Sequence, residues 1–247
     1  MIRLHRLVEP LDDDELVAPA YPTEWSIADV ISHIGSGAVI MQRRVEDGLA
    51  GRDIPDDFAP TVWDEWNAKS PKDKAVDGLV ADDASVSCFA GLTEDERARL
   101  AVSMGPLRLD ATALVSMRLN EHTLHTWDIE VARQPEATLP DDEAALVVEN
   151  LELIGRFTAR PDGGDALHVA VRTTTPERTF TVELGPDRVV FTPGSEAVGQ
   201  GEGVAELELP AEAFIRLVYG RLDPEHTPSF KGDVAVLDRL RHVFPGP

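Results

Sequence analysis

The segment Arg118-Leu-Asn-Glu-His-Thr-Leu-His-Thr-Trp-Asp-Ile129 gathers one base, two acids and two histidines inside an otherwise apolar helical pattern. On a helical wheel, Leu114, Met117, Leu124, Val131 and Ala132 define an apolar stripe. Glu121, His125 and Asp128 fall within that stripe, while His122 lies about 100° round the helix from Glu121, at its edge. Glu121 and His125, one turn apart, project side by side. Two ionisable groups on an inward face are costly without partners, and a divalent cation would satisfy both. The inward pair of candidate ligands is therefore Glu121 and His125, not the more conspicuous His122–His125 pair.

Two ligands do not make a tight site, so a third must come from another helix. His33 is the best candidate, beside the apolar stripe of an earlier helix and next to Gly35 and Gly37, which permit close approach. Two histidines, one glutamate and an open fourth position make the donor set of a catalytic zinc site, though other divalent metals accept the same ligands. Asp128 could orient a ligand or contact substrate, and Arg118 could clamp a substrate carboxylate. The plain alternative is a polar helix edge with Glu121 paired to Arg118. His122 is expected at the surface or behind the ligands, and His5, His168, His226 and His242 are expected to be structural, without acidic partners at ligand spacing.

The elements that must position these residues are helical up to about residue 160. Ser26 with Asp29 forms a capping-box pattern, followed by apolar residues at spacings of three and four from Ile27 to Val45. Gly48 and Gly51 end that run. Further helices are expected from about Lys72 to Gly91, Asp110 to Arg133 and Asp141 to Arg160, with a short turn opened by Thr93 and Glu96. Four long helices predict an antiparallel four-helix bundle over residues 1–160. After Pro161 the period becomes two in LHVAVRT, RTFTVELG, DRVVFTP and VAELELP, and two apolar helices follow. Residues 161–247 are thus expected to form a small α+β domain with an antiparallel sheet, which makes the chain α+β in two domains.

Composition narrows the partners. With 23 Lys and Arg against 45 Asp and Glu, the net charge is -22, which disfavours nucleic acid and anionic membranes. No apolar stretch is long enough to span a bilayer and no secretory signal is evident, so a cytoplasmic location is expected. The single cysteine, Cys88, excludes a disulfide framework or a cysteine-rich zinc site and reads as a packing residue. Thiol chemistry would need a thiol from outside. A monomer or homodimer is expected.

Two segments resemble a known family. Trp25-Ser26-Ile27-Ala28-Asp29-Val30-Ile31-Ser32-His33-Ile34 is similar to the opening segment of the mycothiol-dependent maleylpyruvate isomerase family. Arg118…Glu121…His125…Asp128-Ile129 is similar to its R-x-x-E-x-x-x-H-x-x-D-[LI] segment. The family resembles DinB-like metal-binding bundles and adds a sterol-carrier-like C-terminal domain. The resemblance implies zinc on His33, Glu121 and His125, and mycothiol as a thiol cosubstrate. It also implies addition of the activated thiolate to a small electrophile, giving either cis-trans isomerisation or S-transfer. The competing readings are a non-catalytic small-molecule or lipid-binding protein, and a metal-free stress or interaction protein on the same scaffold.

Overall fold

A computed structural model describes residues 2–21, 24–105, 107–194 and 204–246. The chain divides into two compact units, Met1–Ala137 and Thr138–Pro247.

The first unit is built from α1 (Ile2–Val8), α2 (Asp13–Leu16), α3 (Ile27–Ala50), α4 (Phe58–Asn67), α5 (Pro71–Ala90), α6 (Glu94–Arg99), a hairpin of β1 (Ala101–Met104) and β2 (Leu107–Asp110), and α7 (Ala111–Arg133). Helix α3 starts where the sequence places its cap. Ser26 accepts from the Asp29 amide and the Asp29 carboxylate reaches back to the Ser26 amide, satisfying two orphan donors. It ends at Gly51, whose φ of 63° closes the last turn at no steric cost. Its long apolar face packs on α4, α5 and α7. Gly35 allows the tightest of these approaches, because a Cβ there would lie 2.3 Å from the Trp66 ring and 2.9 Å from the Gly78 backbone of α5. The glycine makes room for α4 and α5, and so fixes the pitch at which α3 presents His33.

The second unit contains α8 (Asp141–Val147), a 3₁₀ turn (Val148–Asn150), α9 (Leu151–Thr158), β3 (Leu167–Thr174), β4 (Glu177–Leu184), β5 (Val189–Pro193), β6 (Val204–Leu209), α10 (Ala211–Val218), β7 (Lys231–Gly232) and α11 (Val234–Val243). The sheet order is β5-β4-β3-β6-β7, antiparallel except where β3 runs parallel to β6. Helix α10 is buried along its whole length because α8, α9, α11 and β3 surround it. Phe214 of α10 stacks within 5.1 Å of Phe180 and 5.9 Å of Phe191, giving this unit an aromatic core.

Three expectations change. The division falls at residues 137/138 rather than near 160. The helix expected from Asp141 to Arg160 is broken at Val148–Asn150 and packs in the second unit, where Gly155 admits the Phe191 ring. The first unit instead gains α1, whose Leu4, Leu7 and Val8 join Ile27, Ile31, Leu79 and Ile129 in one core. The sheet also carries one parallel pairing. Among the described residues no helix is long and apolar enough to cross a membrane.

Candidate metal centre

Helices α3 and α7 bring His33, Glu121 and His125 together, the donor atoms of all three lying within 4.8 Å of one another. His33 Nε2 is 3.0 Å from Glu121 Oε2, and His125 Nε2 is 3.5 Å from that same oxygen. Around a tetrahedral zinc with bonds of about 2.1 Å, neighbouring ligand atoms sit about 3.4 Å apart, so the spacing fits.

The fourth member of the sequence pattern explains how the ring is aimed. Asp128 is fully buried and accepts from His125 Nδ1 at 2.8 Å. With Nδ1–H spent there, Nε2 of the neutral ring is an acceptor, and it faces a carboxylate oxygen that is also an acceptor. A proton or a cation must lie between them, and a divalent cation would engage His33 as well. This is the carboxylate–histidine–metal arrangement that fixes tautomer and ring orientation in metal sites.

The loop before α3 completes the wall. The Ala20 amide donates to Trp25 O, Ile27 to Ala18 O, and Tyr21 to Asp128 O, which ties this loop to α7. Trp25 consequently lies nearly parallel to His125, with ring centroids 6.0 Å apart and an angle of 19°, and 5.3 Å from His33. The imidazole centroids themselves are 4.5 Å apart. Glu121 is less inward than the wheel suggests, its side chain 49 % exposed, so the cluster opens on one side. Desolvation pushes the Glu121 carboxyl up, but hydrogen bonds and charge from His125 and His33 outweigh it and hold the carboxyl well below its usual range. It is therefore anionic at neutral pH, as a ligand must be.

One expected role needs correction and another is narrowed. Arg118 does not present a free fork to substrate: its side chain is only 8 % exposed and Nη2 donates to Asp82 Oδ1 of α5 at 2.5 Å. His122 takes the second of its two expected places, behind the ligands rather than at the surface: it is 12 % exposed, with Nε2 3.1 Å from Asp82 Oδ2. Sequence reasoning missed Asp82, because one acid in Val-Ala-Asp-Asp-Ala carries no sign of burial. It missed the role of Trp25 because ring stacking between segments a hundred residues apart has no local signal. Among the other histidines, His5 does have acidic neighbours, Glu9 at 2.8 Å and Asp83 at 3.1 Å, and His226 lies 2.8 Å from Asp223. Cys88 is partly buried and desolvation raises its thiol pKa, consistent with a packing role.

Residues 1–130 match the mycothiol maleylpyruvate isomerase N-terminal domain, and residues 142–239 match the companion MDMPI C-terminal domain. No curated protein matches the chain. Two crystal structures align with it, those of the mycothiol-dependent maleylpyruvate isomerase and of a histidine-to-alanine mutant of that enzyme. Each is 12 % identical, with a TM-score of 0.66, covering 94 % of this chain and 89 % of the other. At that identity the likeness is one of fold.

Proposed function

Because the chain belongs to the mycothiol maleylpyruvate isomerase family, we propose that it is a zinc-dependent, mycothiol-using enzyme acting on a small electrophile in the cytoplasm. The observation that carries this is the convergence of His33, Glu121 and His125, with the second nitrogen of His125 held by buried Asp128. A bound divalent cation would supply the charge that lets a coordinated thiol lose its proton at neutral pH.

The chain's own residues do the rest. His33, Glu121 and His125 would hold the cation through Nε2, Oε2 and Nε2. Asp128 holds the His125 ring at the required angle and keeps its proton on Nδ1. Trp25 covers the two imidazoles and keeps water from that side. The half-exposed face at Glu121 is the side from which thiol and electrophile would enter. For a cis-enedione, addition of the thiolate turns the double bond single, rotation follows, and elimination restores the thiol and leaves the trans product. With an electrophile that cannot eliminate the thiol, the same addition ends as S-transfer. Arg118 is buried and donates to Asp82, so the exposed side of the site at Glu121 is where a substrate carboxylate would have to be bound.

Zinc content of the purified chain, followed by mycothiol-dependent turnover of maleylpyruvate and of a chlorinated nitroarene, tests this reading. About one zinc per chain and loss of both zinc and turnover in His125→Ala are the expected results. A chain that takes up no zinc overturns the proposal. Zinc without thiol turnover on either electrophile points instead to a non-catalytic ligand-binding role.

A further inference from the structure

Asp82 belongs to neither the ligand set nor the hydrogen bonds around it, yet its carboxylate is completely buried. One oxygen takes Arg118 at 2.5 Å and the other lies 3.1 Å from His122. Arg118 and His122 are i and i+4 on α7, and the ligands Glu121 and His125 are the i and i+4 pair beside them. Thus a single carboxylate on α5 meets α7 at two positions one turn apart, through a hydrogen bond from Arg118 and a 3.1 Å contact with His122, along the strip next to the ligands. The same guanidinium also lies alongside the helix that carries the third ligand, next to Gly37. Arg118 Nη1 lies 3.4 Å from where a Cβ on Gly37 would be, and Gly37 is one turn after His33. The Asp82–Arg118–His122 node therefore joins α5 to α7 and lies beside Gly37 of α3, one turn from the cluster.

The geometry points to Asp82 as a positioning residue for the metal centre: it fixes the rotation of α7 relative to α3, and with it the angle at which Glu121 and His125 meet His33. This inference rests on the zinc reading of the site. Its physical basis is leverage. Rotating a helix by about 20° sweeps its outer side-chain atoms through about 2 Å, whereas metal–ligand distances tolerate only about 0.2 Å. The buried, charge-assisted Asp82–Arg118 hydrogen bond resists such a rotation, because a displaced position leaves two buried charges unpaired.

The test uses the full chain and reads two quantities, the zinc dissociation constant by competition with a chromophoric chelator, and the visible absorption of the cobalt(II)-loaded protein. Asp82→Asn keeps the shape but removes the charge. The double substitution Asp82→Leu with Arg118→Met replaces the ion pair by apolar groups of similar volume, a change that folded proteins tolerate. Asp47→Asn is the control, since Asp47 is equally buried and ion-paired, to Arg43 and Arg52, at the far end of α3. Both changes at Asp82 are expected to weaken zinc binding about tenfold and to shift the cobalt band, with Asp47→Asn within about twofold of the parent. Folded Asp82 variants with parental zinc affinity and an unchanged band would overturn the inference, as would an equal loss in Asp47→Asn. If Asp82→Asn does not fold, the double variant decides. A parent chain that binds no zinc overturns the reading of the site, and this inference with it.

Discussion

Both units bury charge paired within one helix, Asp47 with Arg43 in the first and Glu212 with Arg216 in the second, but the first also pairs buried charge between helices. In the helical unit, Asp82 and Arg118 come from different helices, 36 residues apart, and His125 and Asp128 add a second buried polar pair. Buried oxygens of Ser85, Thr123 and Thr126 on α5 and α7 have no protein partner among the described residues. In the sheet unit the main buried ion pair is Glu212–Arg216, an i,i+4 contact inside α10, and Arg216 also donates to the carbonyl of His226. That core also holds Phe180, Phe191, Phe214, Phe244 and branched aliphatic residues, with Thr173, Thr181 and Arg221 buried among them. Local pairing is inexpensive, because the helix has already brought the partners together. Pairing across helices costs more entropy and risks unpaired charge, so its presence marks where orientation matters.

Substitutions can break that contrast or sharpen it. The largest effect on stability is expected from Phe214→Ala, about 3–5 kcal/mol in urea unfolding, with zinc affinity unchanged. The largest effect on the metal is expected from ligand removal. His33→Ala or Glu121→Gln should weaken zinc more than about 100-fold, read by chelator competition. Glu212→Ala should cost about 3 kcal/mol by stranding buried Arg216, again with no change in zinc affinity. A zinc effect from a second-unit substitution would break the comparison.

Acid gives a smaller and more specific signature. Burial raises the Asp82 carboxyl, but His122 and Arg118 outweigh it and lower its pKa from 3.8 to about 2. A carboxyl depressed by folding adds stability that is complete above its unfolded pKa and is lost as pH falls through the folded one. Asp82 should therefore contribute about 2 kcal/mol that disappears between about pH 4 and pH 2. Comparing urea midpoints of the parent and Asp82→Asn across that interval measures it, and equal pH slopes would refute it. The smallest expected effect is that of Ser26→Ala, about 1 kcal/mol from loss of the α3 cap. Zinc affinity should hold there, because Asp29 also keeps its ion pair with Lys74.

Much of the helical frame could be read locally. The Ser26–Asp29 box, the three-and-four spacing through Val45, and the left-handed Gly51 are short-range signals, and α3 obeys all of them. The alternation from residue 167 onward likewise became β3 to β6. The helical wheel separated Glu121 and His125 from His122, because relative azimuth along one helix is fixed by its 3.6-residue period. It could not give depth, so Glu121 proved half-exposed and His122 nearly buried. Depth depends on what packs alongside, and α5 was the missing neighbour.

The sequence by itself determined the donor types, their spacing along α7, and the cap that starts the helix bearing His33, all of which depend on residues within a few turns. Only the tertiary structure decided that the helix after Asp141 joins the sheet, that β3 pairs parallel to β6, and that Trp25 lies against two imidazoles. It alone decided that Asp82 and Arg118 are buried against each other. Those outcomes hinge on shape complementarity and charge pairing between segments far apart in the chain, and residue order carries no local trace of them.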